Sequence, residues 1–429
     1  MRGGVGSIAI KIASTGLNLI LAIVLARLLG AEGFGVYSFI FALVTILAIP
    51  AQMGLPNLVV RETAKAQVVE RWDVIRGLWQ SSTLVSLAMS LVLMMAGALA
   101  AWIFADMLPK ESLPVLFWGL VLVPLVALGN LRGAALRGLG HTVLGQFPEF
   151  ILRPVFLVAV ALLLAEINLP RQITAPDAMI SHVIAAALAF CFGAYILYRR
   201  YPPQIRDAPN NTSNLTAWIA SALPLAAINA MYLITDSLGI LFLGIFSTSS
   251  DAGLFRVAFQ VSSLLTFGLA SINIVIAPYI SREYRGIKTK RIVMMLKWSM
   301  YCSILFALPV LAIIVIYGQA IVELLLGPEF VEAYAPLLIL SFGGAVNAFI
   351  GSASVLLSMA SFERHVLVAA AASCALNFVL CLVLVPSQGL IGAAAANAIS
   401  VVIWNGSLIV LLRNKVGIRI VRDILLSKE

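Results

Sequence analysis

The chain has 429 residues, of which 62% are hydrophobic and 11% are charged. Soluble domains carry charge on roughly 25% of their residues, so this composition excludes an ordinary soluble globular protein. The formal net charge of +9 is spread over many short segments, which excludes a nucleic-acid-binding surface as its explanation.

Apolar stretches long enough to cross a bilayer recur along the whole chain. A helix rises 1.5 Å per residue, so about 20 apolar residues span a hydrocarbon core of roughly 30 Å. Because lipid offers no hydrogen bonds to the backbone, these stretches must be helices. We predict an all-α integral membrane protein with twelve spans, at 8–29, 35–53, 78–104, 113–131, 148–167, 178–198, 215–243, 252–280, 292–318, 332–358, 364–385 and 389–412.

The Lys and Arg residues lie in alternate connections between these spans. With both termini inside, 24 of the 28 positive residues fall on the cytoplasmic side, where positive residues near span ends are retained. Arg27, Lys110 and Arg171 fall outside, and Arg256 lies within a span. The pattern predicts a multi-pass protein of the cytoplasmic membrane with both termini cytoplasmic.

A polar linker at 199–214 divides the spans into two sets of six. A shift of 218 places Gly35-Val36-Tyr37 on Gly253-Leu254-Phe255, at the start of the second span of each half. An even number of spans in each half gives both copies the same orientation. We therefore predict two six-helix lobes, 1–198 and 215–429, related by a parallel repeat.

Polar and charged side chains within the predicted spans are candidates for a transport pathway. Lys11, Ser14, Thr15 and Asn18 share one face of the first span. The alternative is that Lys11 extends to the cytoplasmic surface while the hydroxyls bond their own backbone. Gln52, Asn229, Asn347 and Asn377 could equally line a sugar path or bond a neighbouring helix.

Five ionisable residues at or within the ends of spans are further candidates. Arg27 lies near the outer end of the first span, where an interfacial anchor is the alternative role. Arg61 and Arg153 lie on the cytoplasmic side, where they could simply fix the topology. Asp236 and Arg256 lie at similar depths in consecutive spans, and we predict an ion pair that is either structural or part of the coupling mechanism.

Several short segments resemble those of Wzx-type polysaccharide flippases. That family shares a superfamily with multidrug and toxic compound extruders and with flippases of lipid-linked peptidoglycan precursors. The resemblance implies a bacterial or archaeal inner-membrane protein that moves an oligosaccharide on a polyprenyl pyrophosphate from the inner to the outer leaflet. The segments are 26–37 (ARLLGAEGFGVY), 54–56 (GLP), Arg61-Glu62, 136–140 (LRGLG), 327–334 (GPEFVEAY) and 389–396 (GLIGAAAA).

A pyrophosphate cargo needs cations along its route. Arg suits this role best, because its planar guanidinium group can donate hydrogen bonds to two phosphate oxygens at once. This cargo makes Arg256, Arg27, Lys11, Arg61 and Arg153 the candidate pyrophosphate contacts, with Asn18 beside them and Asp236 as the coupling or pairing group. Alternating access between the two lobes would carry the cargo across. Membrane lipids, a polysaccharide polymerase and glycosyltransferases are the expected partners.

Two other functions are consistent with the same architecture. A multidrug-type, cation-coupled antiporter would need acidic rather than basic residues in its cavity, and a scaffold of a polysaccharide synthesis complex would transport nothing. An enzyme is not expected, because the outer loops are short. The sequence contains no phosphate-binding loop ending in Gly-Lys-Ser/Thr and no zinc-ligand spacing, so we expect no cofactor and no metal.

Overall fold

The structure is a computed structural model, and it describes residues 2–103, 112–167, 173–209, 215–285, 289–360 and 362–418. These residues form helices and no strand. Contacts within the chain define two compact units, Met1–Leu233 and Ile234–Glu429. The boundary between them falls inside a helix, whereas the predicted lobes end and begin at the linker; the lobe boundaries stay a prediction.

The first unit contains eight helices and the beginning of a ninth. A π-helical segment, Pro148–Leu152, connects the fifth helix to the sixth. The helices are α1 (Arg2–Gln52), α2 (Leu55–Val68), α3 (Trp72–Ile103), α4 (Ser112–Gly138), α5 (Thr142–Phe147), α6 (Arg153–Ile167), α7 (Ala175–Arg200), α8 (Pro203–Asp207) and α9 (Leu215–Phe246).

The second unit contains the end of α9 and six further helices. A 3-10 segment, Pro328–Ala333, precedes one of them, and a π-helical segment, Leu412–Val416, follows the last. The helices are α10 (Ser249–Ser262), α11 (Leu264–Arg285), α12 (Thr289–Leu326), α13 (Tyr334–Ile350), α14 (Ala353–Met359) and α15 (Glu363–Leu411).

Within the described residues, 9 helices are long and apolar enough to cross a membrane, or 10 if one bent pair forms a single span. This confirms a multi-pass helical membrane protein. Two of these helices are unusually long and break at a glycine, α1 at Gly30 (φ 67°) and α15 at Gly389 (φ 52°). Both breaks lie where one predicted span ends and the next begins. The count of twelve spans stays a prediction.

The predicted span 252–280 contains a bend of 45°, where α10 and α11 meet at Ser263. No proline causes this bend. Ser262 and Ser263 donate their hydroxyls to the carbonyls of Phe259 and Gln260, three residues earlier. Hydroxyls that bond the preceding turn compete with the helical ladder, and serine pairs are recognised kink sites.

A compact core beside α2 fixes one end of the first unit. Leu58, Leu78 and Ile205 are fully buried there, in α2, α3 and α8. The Trp79 indole N–H donates to the Thr63 hydroxyl at 2.9 Å. These contacts hold α2 against α3 and α4, so that Asn57 at the start of α2 occupies a fixed place at the edge of a cavity.

Candidate functional site

A cavity of about 610 Å³ opens within the first unit, among helices that are otherwise apolar. It is bounded by residues of α1, α2, α4, α5, the π-helical segment and α9. Its polar lining comprises two cations, one carboxylate and a set of carboxamides. These residues are Lys11, Gln52, Asn57, Asn130, Arg137, Gln146, Glu149 and Asn229.

Two glycines of α4 allow the wall of this cavity to form. A β-carbon at Gly133 would collide with the Gly145 backbone carbonyl, so only glycine lets α4 and α5 approach this closely. A β-carbon at Gly129 would collide with the Glu149 carboxylate. The absence of side chains at both positions therefore places Glu149 directly against α4.

The backbone around Glu149 is a π-helical turn with an identifiable cause. Pro148 has no N–H to donate, and the Arg153 N–H bonds the Pro148 carbonyl five residues back. Pro154 follows and lacks an N–H as well, so the ordinary α-helical ladder cannot form across this segment. Single π turns of this kind recur at functional sites, and this one turns Glu149 toward the cavity.

Glu149 is held by two arginines. Its carboxylate accepts from Arg132 at 3.0 Å and lies 3.5 Å from an Arg153 nitrogen. The Arg132 side chain is 5% exposed, and it also donates to the carbonyls of Ala189 and Phe190 in α7. Arg132 thus joins α4, α7 and the π-helical segment.

The electrostatic balance of this site is positive. Lys11 and Arg137 line the cavity, and Arg132 and Arg153 lie directly behind Glu149. Among the described residues of the site, four cations stand against one carboxylate, and that carboxylate is already neutralised. An anion that enters the cavity can therefore pair with Lys11 and Arg137, since Glu149 is paired with Arg132 and Arg153 instead.

Among the residues predicted in α1, Lys11 lines the cavity and Asn18 does not. The Asn18 amide donates to the Ser14 carbonyl at 2.8 Å, and the Thr15 hydroxyl donates to the Lys11 carbonyl at 3.0 Å. The polar face of the first span is therefore mostly occupied by bonds within the helix. Arg27 is exposed, near the Gly30 break and outside the cavity lining.

The other predicted arginines of the first unit also lie outside the lining. Arg61, on α2, bonds Glu62 at 2.9 Å, and Glu62 also pairs with Lys65. Arg153 reaches the cavity only through Glu149. The structure thus brings Lys11 and Arg153 to one site and leaves Arg61 at its periphery.

Arg256 and Asp236 both belong to the second unit. They interact electrostatically across α9 and α10. Gly239, one turn after Asp236, makes this approach possible, because a β-carbon there would collide with the Phe255 ring. Whether the pair is structural or takes part in coupling stays a prediction.

Three of the four carboxamides that the sequence left undecided divide between the cavity lining and a bond to a neighbouring helix. Gln52 and Asn229 line the cavity, where Gln52 also accepts from Asn130 at 3.0 Å. Asn377 is fully buried in the second unit and donates to the Thr235 carbonyl at 3.2 Å, which is a bond to a neighbouring helix.

Sequence reasoning missed the residues that organise the site. The sequence assigns Arg132 only a place among the cytoplasmic charges, it assigns Arg137 such a place and a position in the segment 136–140, and it does not single out Glu149. A signal was present, because Glu149 stands four residues before Arg153, the spacing of an ion pair on one helical face. The contact with Arg132 had no such signal, since it depends on tertiary packing.

The sequence model of the family described as "Polysaccharide biosynthesis protein" matches residues 1–283. The chain is also similar to the probable low-salt glycan biosynthesis flippase Agl15 of Haloferax volcanii, at 27% identity over 161 residues. That match covers 37% of this chain and 34% of the relative, so it spans about a third of the relative's length.

Solved structures of transporters share the fold. The lipid II flippase MurJ matches over 97% of this chain and 89% of its own, with a TM-score of 0.75 and 12% identity. An inward-facing multidrug resistance MATE family transporter matches over 96% and 98%, with a TM-score of 0.73 and 14% identity. At such identities the likeness concerns the fold alone.

Proposed function

Because the chain belongs to the polysaccharide biosynthesis protein family, we propose that it is a flippase for lipid-linked glycans. Its cargo is an oligosaccharide joined by pyrophosphate to a polyprenyl chain. The protein moves this cargo from the inner to the outer leaflet of the cytoplasmic membrane by alternating access. Glycosyltransferases that build the oligosaccharide and a polymerase that consumes it are its functional partners.

The cation-rich cavity of the first unit is the observation that carries this proposal. A pyrophosphate cannot enter hydrocarbon unaided, since an ion loses its hydration there. Lys11 and Arg137 line a space of about 610 Å³ in which that charge would be compensated. Around these two cations, Gln52, Asn57 and Asn229 present donors and acceptors suited to sugar hydroxyls.

Each part of the cargo has a place in this scheme. The pyrophosphate bonds Lys11 and Arg137, the sugars lie along the carboxamides, and the polyprenyl chain stays in lipid. Arg27, Arg61 and Arg256 are secondary contacts along the route, and Asp236 is the coupling or pairing group. Glu149 and its arginines keep the wall of the cavity in place during transport.

A multidrug-type antiporter is the second candidate, and the likeness to MATE transporters is the observation that favours it. Export of lipophilic cations requires a carboxylate that is available to the substrate. Among the described residues that line the cavity, Glu149 is the one carboxylate, and it is bound by Arg132 and Arg153. The balance of charge therefore favours an anionic cargo.

Binding of farnesyl pyrophosphate to the purified full chain tests this function. Hydrogen bonds to charged groups contribute about 1.5–3 kcal/mol, and a tenfold change in affinity corresponds to about 1.4 kcal/mol. Lys11→Gln and Arg137→Gln should therefore each weaken binding by about tenfold or more. The measurement is titration calorimetry in detergent, at one fixed salt concentration.

Arg71→Gln is the matched control, because Arg71 is exposed and pairs with Asp73 at 2.9 Å outside the cavity. This variant should bind the probe as the wild type does. Tetraphenylphosphonium, a lipophilic cation, should not compete. If both cavity variants bound farnesyl pyrophosphate with wild-type affinity, or if tetraphenylphosphonium competed with it, the antiporter would be favoured.

A further inference from the structure

A second cavity, of about 980 Å³, lies in the second unit between the two halves of α15. The helix reverses at Gly389, so its beginning at Glu363 and its end at Leu411 lie at the same end of this groove. Val368 and Ala372 form one wall, and Val402 and Val410 form the other. We call this the α15 groove.

The α15 groove is a shallow apolar surface, open on one side. Val366, Leu408 and Leu412 point away from it into a buried core. On the groove side, Val368 is 68% exposed and Val410 is 55% exposed. Gly406 deepens the groove, since a β-carbon at that position would meet nothing within 4 Å.

One end of the α15 groove is basic. Arg364 and His365 line it directly. Arg413 and Lys415 follow the end of α15 within about one turn and are exposed. The apolar walls end where these basic residues begin, and a lipid with an apolar chain and an anionic head has the complementary arrangement. Basic pockets beside membrane helices bind anionic lipid headgroups in this way.

We infer that the α15 groove binds an anionic glycerophospholipid, with the phosphate at Arg364 and His365 and one acyl chain along the walls. Arginine suits this phosphate because its guanidinium presents two parallel donors to phosphate oxygens. The site is distinct from the cavity of the first unit, and the inference does not depend on the cargo proposed above.

Native mass spectrometry of the full chain, titrated with palmitoyl-oleoyl phosphatidylglycerol, tests this site. Gly406→Leu places a side chain in the open space of the groove, and Arg364→Gln removes the principal phosphate partner. Each substitution should weaken binding of the lipid by at least tenfold. Phosphatidylcholine, which has the same chains and no net charge, should bind at least tenfold more weakly than phosphatidylglycerol.

Two control variants match these changes. Gly16→Leu introduces the same side chain at another helical glycine with nothing within 4 Å, and Arg71→Gln removes an exposed arginine of the first unit. Both should retain wild-type affinity. A cooperative melting transition in neutral detergent, at a temperature no lower than that of the wild type, would show that each of the four variants folds.

Several results would overturn the inference. Wild-type affinity of Gly406→Leu would show that no chain lies in the groove. Equal binding of phosphatidylcholine would remove the role of the cations. Displacement of the lipid by millimolar inorganic phosphate would indicate a site for free phosphate, and tenfold stronger binding of undecaprenyl phosphate would assign the groove to the carrier lipid.

Discussion

Glu149 shows how a carboxylate can stand in the wall of a cavity in which cations are in excess. Its two oxygens accept from Arg132 and Arg153. Without Glu149, two arginines would stand unpaired behind the wall, one of them almost fully buried. The carboxylate therefore positions these cations and lets α4, α6 and α7 pack, while Lys11 and Arg137 stay available to a ligand.

Replacement of Glu149 by alanine should destabilise the protein strongly. It leaves the 5% exposed Arg132 guanidinium without its charged partner, and breaking a buried pair in this way costs about 3–5 kcal/mol. Glu62→Ala is the control, because its partner Arg61 is 38% exposed and a surface pair contributes about 1 kcal/mol or less. Thermal unfolding in detergent should separate the two variants clearly, and equal shifts would refute the structural role of Glu149.

The sequence predicted part of this site at the level of single residues. Lys11 could be found because a cation in an apolar span must face something polar. The sequence left Gln52 and Asn229 undecided between a polar path and a bond to a neighbouring helix, and the structure places both in the cavity lining. Arg132 could not be assigned, because its position near a predicted span end is equally consistent with a topological anchor, and only packing against Gly193 and Phe190 reveals its burial.

At the scale of helices, glycine and serine determine where the long elements change direction. The breaks at Gly30 and Gly389 could be predicted, since a glycine between two apolar stretches of span length is a natural boundary. The bend at Ser263 could not, because it depends on whether serine hydroxyls bond the preceding turn. The π-helical turn at Pro148 was missed for a similar reason, since a proline near a helix start is usually compatible with an α-helix.

Gly389→Ala isolates the backbone cost of the break in α15. The nearest atoms to a β-carbon there, on Ser247 and Asp251, lie at ordinary van der Waals distances, so the substitution introduces no collision. The φ of 52° is nevertheless unfavourable for alanine, and such strain costs about 1–3 kcal/mol. We expect a lower melting temperature.

Gly16→Ala provides the comparison, since Gly16 lies in an ordinary helical stretch with open space beside it. Alanine there should stabilise the helix by roughly 0.5–1 kcal/mol. A loss of stability at Gly16 similar to that at Gly389 would mean that the positive φ is not the cause.

At the scale of the whole molecule, the two units show a local correspondence. Tyr37 stacks on Phe41 with ring centroids 6.1 Å apart, and Phe255 stacks on Phe259 at 6.2 Å. The two pairs are separated by 218 residues, the same shift that relates the halves in sequence. The parallel repeat stays a prediction, since sequence similarity between the halves is confined to short segments.

The predicted topology has a direct test in intact cells. In a cysteine-free background, Ser249→Cys and Glu329→Cys should react with a membrane-impermeant maleimide, because both positions are predicted outside. Lys65→Cys and Lys415→Cys should react only after the cells are opened. Labelling of Lys415→Cys in intact cells would contradict an even number of spans with both termini cytoplasmic.

We propose that cations of the first unit carry an anionic lipid-linked glycan across the membrane, and a transport assay tests this directly. Purified protein in liposomes, supplied with a fluorescent polyprenyl pyrophosphate disaccharide, allows the transbilayer rate to be followed by dithionite quenching. The wild type and Arg71→Gln should move the lipid at equal rates, and the Lys11→Gln/Arg137→Gln double variant should be at least tenfold slower. A double variant as fast as the wild type would exclude these cations from transport, and a wild type that leaves the lipid unmoved would exclude the flippase function.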